Sequence, residues 1–206
     1  MGSGLDKGIG GFEGCSMALV NSTMMALGTV APDFRLSDTE GKTVARDDYR
    51  GRRGLLVMFI CNHCPYVKHV RGELAAIGRD YQSRGIGIVA INSNDAVTYP
   101  GDNPEKMREE VRDIGYTFPY MHDDSQAVAK AYRAACTPDL FLFDADFKLV
   151  YRGQIDETRP KSGASAHGKD LRAALDAVLA GKPVPEPQVP SIGCNIKWKV
   201  GNEPDY

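Results

Sequence analysis

The chain has 206 residues, with 25 basic and 27 acidic side chains for a net charge of −2, and 42% of its residues are hydrophobic. That length fits one domain with extensions, and a chain of this size should bury roughly 70% of its unfolded surface. The charge balance gives no electrostatic footprint for nucleic acid or an anionic membrane surface, and no apolar run approaches the ~20 residues of a membrane span.

Residues 1–16, MGSGLDKGIGGFEGCS, are glycine-rich with little to bury and are expected to be a disordered leader carrying Cys15. The following MALVNSTMMALG is too short and too broken for a secretory signal. The expected compartment is therefore a reducing cytoplasm. There the five cysteines are free thiols, metal ligands or catalytic sulfurs rather than a stabilising framework.

FRLSD and KTVAR flank a turn at Thr39–Gly41 and predict a short hairpin. GLLVMFI, Gly54 to Ile60, is a continuous apolar run of the kind found in a strand buried on both faces. A helix should follow from Pro65 to about Arg84, with Val67, Val70, Leu74, Ile77 and Tyr81 on one face and Gly85 at its end. IGIVAIN predicts a second buried strand. Asn103-Pro104 predicts a capped helix ending near Gly115. FPYMHD is strand-like, and Ser125 should cap a helix over QAVAKAYRAA.

DLFLFD and KLVYRGQI predict a hairpin, and GKDLRAALDAVLAG a last helix ending at Gly181. KPVPEPQVP is a stiff proline-rich linker. The tail beyond it, SIGCNIKWKVGNEPDY, holds the single Trp and is too apolar for a disordered end, so it should dock on the domain. This order predicts an α/β fold over residues 17–181, a three-layer α/β/α sandwich around a central mixed sheet with an N-terminal hairpin, and a C-terminal extension over 182–206.

Cys61 and Cys64 form a Cys-x-x-Cys at the junction between the first buried strand and its helix. Pro65 suits the first helical position, which makes Cys64 the cap, with its sulfur toward unpaired N–H groups and the positive end of the helix dipole. His63, Lys68 and His69 add donors or positive charge, and such surroundings favour a thiolate. The bland alternative is two inert buried thiols. A third reading is a copper or zinc carrier using Cys61, Cys64 and a distant His, since soft thiolates and imidazole suit both metals. A fourth is a non-catalytic binding module. His122 and His167 are expected at a strand end and in a loop, and the acidic pairs at 47–48 and 123–124 in solvated turns.

GTVAPDFRLSDTEGKTV, LLVMFI with the following HCP, and CTPDLFLFD resemble the thioredoxin superfamily, nearest its peroxiredoxin-like members of the alkyl hydroperoxide reductase and thiol-specific antioxidant group. The resemblance spans about Gly28 to Ala180. It implies a thioredoxin-like fold and a thiol-dependent oxidoreductase and antioxidant acting on a protein disulfide or hydroperoxide, with a thiol reductant as partner. It implies no cofactor and no resident metal, no nucleic acid and no membrane; a homodimer is allowed. Register implies that Cys64, five residues after Phe59, is the attacking sulfur. Val67 then stands at the thioredoxin resolving position. Thr137-Pro138 occupies the place of the cis-proline that faces the thiol, and Thr137, Pro138, Pro65 and His63 would line the substrate groove. Cys61, Val57 and Pro138 stand where peroxiredoxins carry a hydroxyl residue, a proline and an arginine, and Met58 stands where thioredoxins carry a buried aspartate. An oxidised Cys64 could be resolved by Cys61, Cys136 or Cys194. Cys194 is the expected long-range partner, because its segment can move and Ile192, Ile196 and Trp198 can dock it.

Overall fold

A computed structural model describes residues 18–206, so the expected leader and Cys15 lie outside the described residues. The elements in chain order are β1 (Leu19–Asn21), β2 (Arg35–Ser37), β3 (Thr43–Ala45), β4 (Gly54–Phe59), α1 (Pro65–Gln82), β5 (Ile86–Asn92), α2 (Pro104–Ile114), β6 (Tyr120–His122), α3 (Ala127–Ala131), β7 (Cys136–Thr137), β8 (Asp139–Asp144), β9 (Leu149–Arg152), α4 (Lys169–Leu179) and β10 (Ile192–Asn195).

The central sheet runs β6-β5-β4-β8-β9. β5 lies parallel to β4 and to β6, whereas β8 lies antiparallel to β4 and to β9. This is the expected mixed sheet. β4 and β5 are apolar throughout because they are interior strands with both faces covered. The period of two divides β4 between two cores. Leu56 and Met58 join Val67, Val70 and Leu74 of α1 and Leu171 and Leu175 of α4. Leu55, Val57 and Phe59 face the other way, toward Phe34, Val44, Val128 and Ile196. Each such side chain, fully buried, contributes roughly 1.5–3 kcal/mol of transfer free energy. Among the described residues no helix is long and apolar enough to cross a membrane.

α1 and α2 start as their caps dictate. Pro65 follows the N-cap Cys64, and Asn103 accepts a hydrogen bond from Lys106 N. Gly115 closes α2 in the left-handed region at φ 77°. α3 departs from expectation. It covers five residues, its N-cap is Gln126 at φ 61° rather than Ser125, and Arg133 at φ 51° breaks the chain beyond it. The cause is long-range. The Gln126 amide donates to Ser93 O and Lys197 O, and Asp123 accepts from Ala129 N, so tertiary bonds override the local pattern.

The proline-rich stretch runs along β9. Gln188 accepts from Arg152 N and donates to Val150 O, and Val189 O accepts from Gln154 N. These bonds occupy an otherwise open sheet edge. Beyond it β10 enters a second, antiparallel sheet in the order β1-β10-β7. β1 has no counterpart in the sequence expectations, because three residues carry too little pattern to read. The tail expected to move is held as the middle strand of this sheet, with Leu19 opposite Cys194 and Cys194 opposite Thr137.

Candidate active site

Three elements converge on one sulfur. β4 ends at Phe59, Ile60 N still bonds to Ile91 O, and the chain then turns through Cys61 into α1. Cys64, at φ −64° and ψ 125°, has the extended backbone of an N-cap and its carbonyl accepts from Lys68 N. From the opposite side comes β7, whose Thr137–Pro138 bond is cis as expected. Cys64 Sγ lies 3.2 Å from Thr137 O, and Cys61 Sγ lies 3.3 Å from Thr137 Oγ1.

β10 completes the cluster. Register puts Cys194 across from Thr137, and its side chain reaches Cys64 with an Sγ–Sγ distance of 2.9 Å. Gly193 is required there. A Cβ at that position would stand 2.0 Å from Thr137 O, so only glycine lets β10 approach β7 this closely. Cys61, Cys64 and Cys194 are all free thiols and all buried.

The three sulfurs are electrostatically unequal. The Cys194 thiol, then the Cys61 thiol, bond to Cys64 and hold it far below the ordinary thiol range, against burial and with help from the backbone N–H of Val67. The same bond pushes Cys194 up, and burial adds to the rise. Cys61 rises for the same two reasons. Of the three sulfurs, Cys64 is the one whose surroundings favour the thiolate, while those of Cys194 and Cys61 favour the thiol.

The remaining expected residues are placed as follows. Pro65 opens α1. Cys136 is buried at the other residue of β7, and its thiol turns to Pro138 O at 3.5 Å rather than to Cys64. Alternation along β7 explains this, since Thr137 points at the sulfurs and Cys136 points away. His63 does not serve the thiolate as expected. Its Nδ1 lies 2.5 Å from Asp102 Oδ2, and its ring stacks on Tyr99 with centroids 5.7 Å apart. His69 likewise turns outward to Thr158 Oγ1. A groove lined by Tyr66, Val70, Pro138, Ile155, Ser191 and Ile192 runs beside the cis bond.

Asp102 is the residue the sequence did not single out. It is fully buried and accepts from Asn62 N and Asn94 Nδ2, each at 2.8 Å. Burial works to raise its carboxyl, but His63 and Asn94 hold it below the usual carboxylate range. It lies 38 residues beyond Cys64 in a 3-10 turn, Pro100–Asp102, whose only local signal is the Pro-Gly pair. Donor atoms of Cys61, His63 and Asp102 lie within 4.8 Å of one another.

The AhpC/TSA family matches residues 27–152 of the chain, a span that holds Cys61, Cys64 and Pro138 and stops short of β10. The thiol-disulfide oxidoreductase ResA of Geobacillus thermodenitrificans is 36% identical over 153 residues, covering 73% of this chain and 80% of that protein. The crystal structure of an uncharacterized conserved protein from Geobacillus kaustophilus superposes with a TM-score of 0.87 at 53% identity, over 90% of this chain and 98% of the other. That of a hypothetical protein from Sinorhizobium meliloti 1021 gives a TM-score of 0.86 at 51% identity, over 88% of this chain and 99% of the other. With a thiolate-stabilising cysteine at the strand-to-helix junction of a thioredoxin fold, the chain belongs to the AhpC/TSA family and is a thiol-dependent oxidoreductase.

Proposed function

We propose that the chain is a dithiol reductant of protein disulfides, in which Cys64 attacks and Cys194 resolves. The observation that carries this reading is the 2.9 Å separation of Cys64 Sγ and Cys194 Sγ. The groups that favour the Cys64 thiolate are two neighbouring thiols and backbone N–H groups, a setting suited to exchange between sulfurs.

In the first step the Cys64 thiolate attacks one sulfur of the substrate disulfide. A Cys64–substrate S–S bond forms, the substrate S–S bond breaks, and the released substrate thiolate takes a proton. In the second step Cys194 gives up its proton and attacks Cys64 Sγ. The mixed disulfide breaks, the second substrate thiol leaves, and a Cys64–Cys194 disulfide remains. Two electrons have passed from the protein to the substrate, and a thiol reductant in a reducing compartment restores the dithiol. Because all three sulfurs are buried, β10 must part from β7 for substrate to enter beside Pro138.

The test is turnover of a small disulfide by single variants. Cys64→Ser should abolish it, whereas Cys194→Ser should accumulate a mixed disulfide on Cys64 and stall. A Cys194→Ser protein that turns over at the wild-type rate with no trapped adduct would remove the resolving role.

A further inference from the structure

Beside the sulfur pair stands a second constellation that shares Cys61 with the three-sulfur cluster and adds His63 and Asp102, two residues that disulfide exchange does not use. Cys61, His63 and Asp102 come from two places: the turn between β4 and α1, and the 3-10 turn before α2. Their donor atoms lie within 4.8 Å of one another, offering one sulfur, one imidazole nitrogen and one carboxylate oxygen. We propose that these residues form a binding site for a divalent metal ion of the zinc class.

Geometry suits the ion. Tetrahedral zinc, with Zn–S near 2.3 Å and Zn–N and Zn–O near 2.0–2.1 Å, needs donor separations of roughly 3.3–3.6 Å. The His63 Nδ1 to Asp102 Oδ2 contact, at 2.5 Å, would open by about 1 Å to admit it. Chemistry suits it as well. Thiolate and imidazole favour zinc, cobalt or copper over magnesium or calcium.

The outer shell is already built, as holding a ligand set requires. Asn62 N fixes Asp102 Oδ1 and Asn94 Nδ2 fixes Asp102 Oδ2, while Asn62 Nδ2 ties the same turn down through Gly101 O. Tyr99 stacks on the His63 ring and sets its plane. His63 is 28% exposed, which gives an ion a way in to two ligands that are otherwise enclosed. Binding replaces the thiol proton of Cys61 by the metal, so one proton is released per ion from that residue. His63 gives its Nδ1 lone pair once the proton that Nδ1 shares with Asp102 Oδ2 has left that nitrogen, and the ring then carries its proton on Nε2. The ligand set contains neither Cys64 nor Cys194, so metal binding by the reduced chain does not depend on the pairing of those two sulfurs.

The experiment titrates Co²⁺ into the reduced, metal-free full chain under argon. The expected result is a sulfur-to-cobalt charge-transfer band together with the visible bands of a tetrahedral ion, both lost on adding Zn²⁺. Cys61→Ser should abolish the charge-transfer band. His63→Ala and Asp102→Asn each remove a direct ligand and should weaken binding by at least the roughly 10–100-fold that loss of an outer-shell partner costs. Cys194→Ser should bind as the wild type does. Far-ultraviolet circular dichroism of each variant separates ligand loss from misfolding, and His63→Gln supplies a milder variant should Asp102→Asn not fold. A wild-type chain with no charge-transfer band at millimolar Co²⁺, or a Cys61→Ser chain that keeps it, would overturn the site. Neither result would bear on disulfide turnover by the metal-free protein.

Discussion

Gly193→Ala perturbs the sulfur pair without touching a sulfur. The new Cβ would stand 2.0 Å from Thr137 O and 2.7 Å from Thr137 C, both backbone atoms that cannot swing aside. Ordinary contact begins near 3.4 Å, so β10 must retreat from β7 by roughly 1.4 Å. Cys194 moves with its strand, and the 2.9 Å Sγ–Sγ distance opens toward ~4 Å. Overpacking of this kind costs about 1–3 kcal/mol, which for a chain of this length lowers the melting temperature by about 2–12 °C. Misplacing reacting atoms by about 1 Å can cost ~100-fold in rate, so closure of the Cys64–Cys194 disulfide should slow by roughly 10–100-fold. The assay mixes the reduced chain with one equivalent of a small disulfide, quenches in acid at timed intervals, and counts the remaining thiols by alkylation and mass spectrometry. Gly193→Ala should show a persistent mixed disulfide on Cys64. Closure within twofold of the wild-type rate, in a variant whose melting temperature has fallen, would refute the link between strand register and chemistry.

Gly72→Ala is the matched control: it lies in α1 with nothing within 4 Å, so it should add roughly 0.5–1 kcal/mol to stability and leave the closure rate unchanged, as read by thermal unfolding and the same quench. Asn103→Ala removes the acceptor for Lys106 N and should cost about 1 kcal/mol in urea unfolding, with no effect on thiol reactivity. Asp139 carries the pH dependence. Burial raises its carboxyl to about 7, and its Oδ1 has no hydrogen-bond partner. The folded state therefore keeps a proton that the unfolded chain sheds near pH ~3.9, so stability should fall as pH rises from ~4 to ~7, by up to about 4 kcal/mol. Urea midpoints of Asp139→Asn should be flatter across that window, and curves parallel to the wild type would contradict this.

What could be read in the sequence was what lies close along the chain. The apolar runs of β4 and β5 mark interior strands, and Val67, Val70, Leu74, Ile77 and Tyr81 trace the buried face of α1, because periodicity is local. The cap at Cys64 followed from Pro65 alone, and the cis bond from the place of Pro138. Distant pairings were less legible. β1 meets β10 across some 170 residues, and no pattern in three residues announces it. α3 is shorter than its sequence pattern because Gln126 is held by Ser93 and Lys197, neither of which is near it in sequence. His63 adjoins Cys64 in sequence, which suggests a partner for the thiolate, but the buried Asp102 takes its ring nitrogen instead. Cys194 stood out by its apolar neighbours. Its approach to Cys64 depends on Gly193, whose role only the β7 backbone reveals.

The resolving role proposed for Cys194 rests on the β7–β10 ladder that sets it beside Cys64. The most direct test treats the wild-type chain with one equivalent of a small disulfide, blocks free thiols, digests without reduction and identifies the linked peptides by mass spectrometry. A Cys64–Cys194 link is expected, with Cys61 and Cys136 alkylated. A Cys61–Cys64 link with Cys194 still free would contradict it.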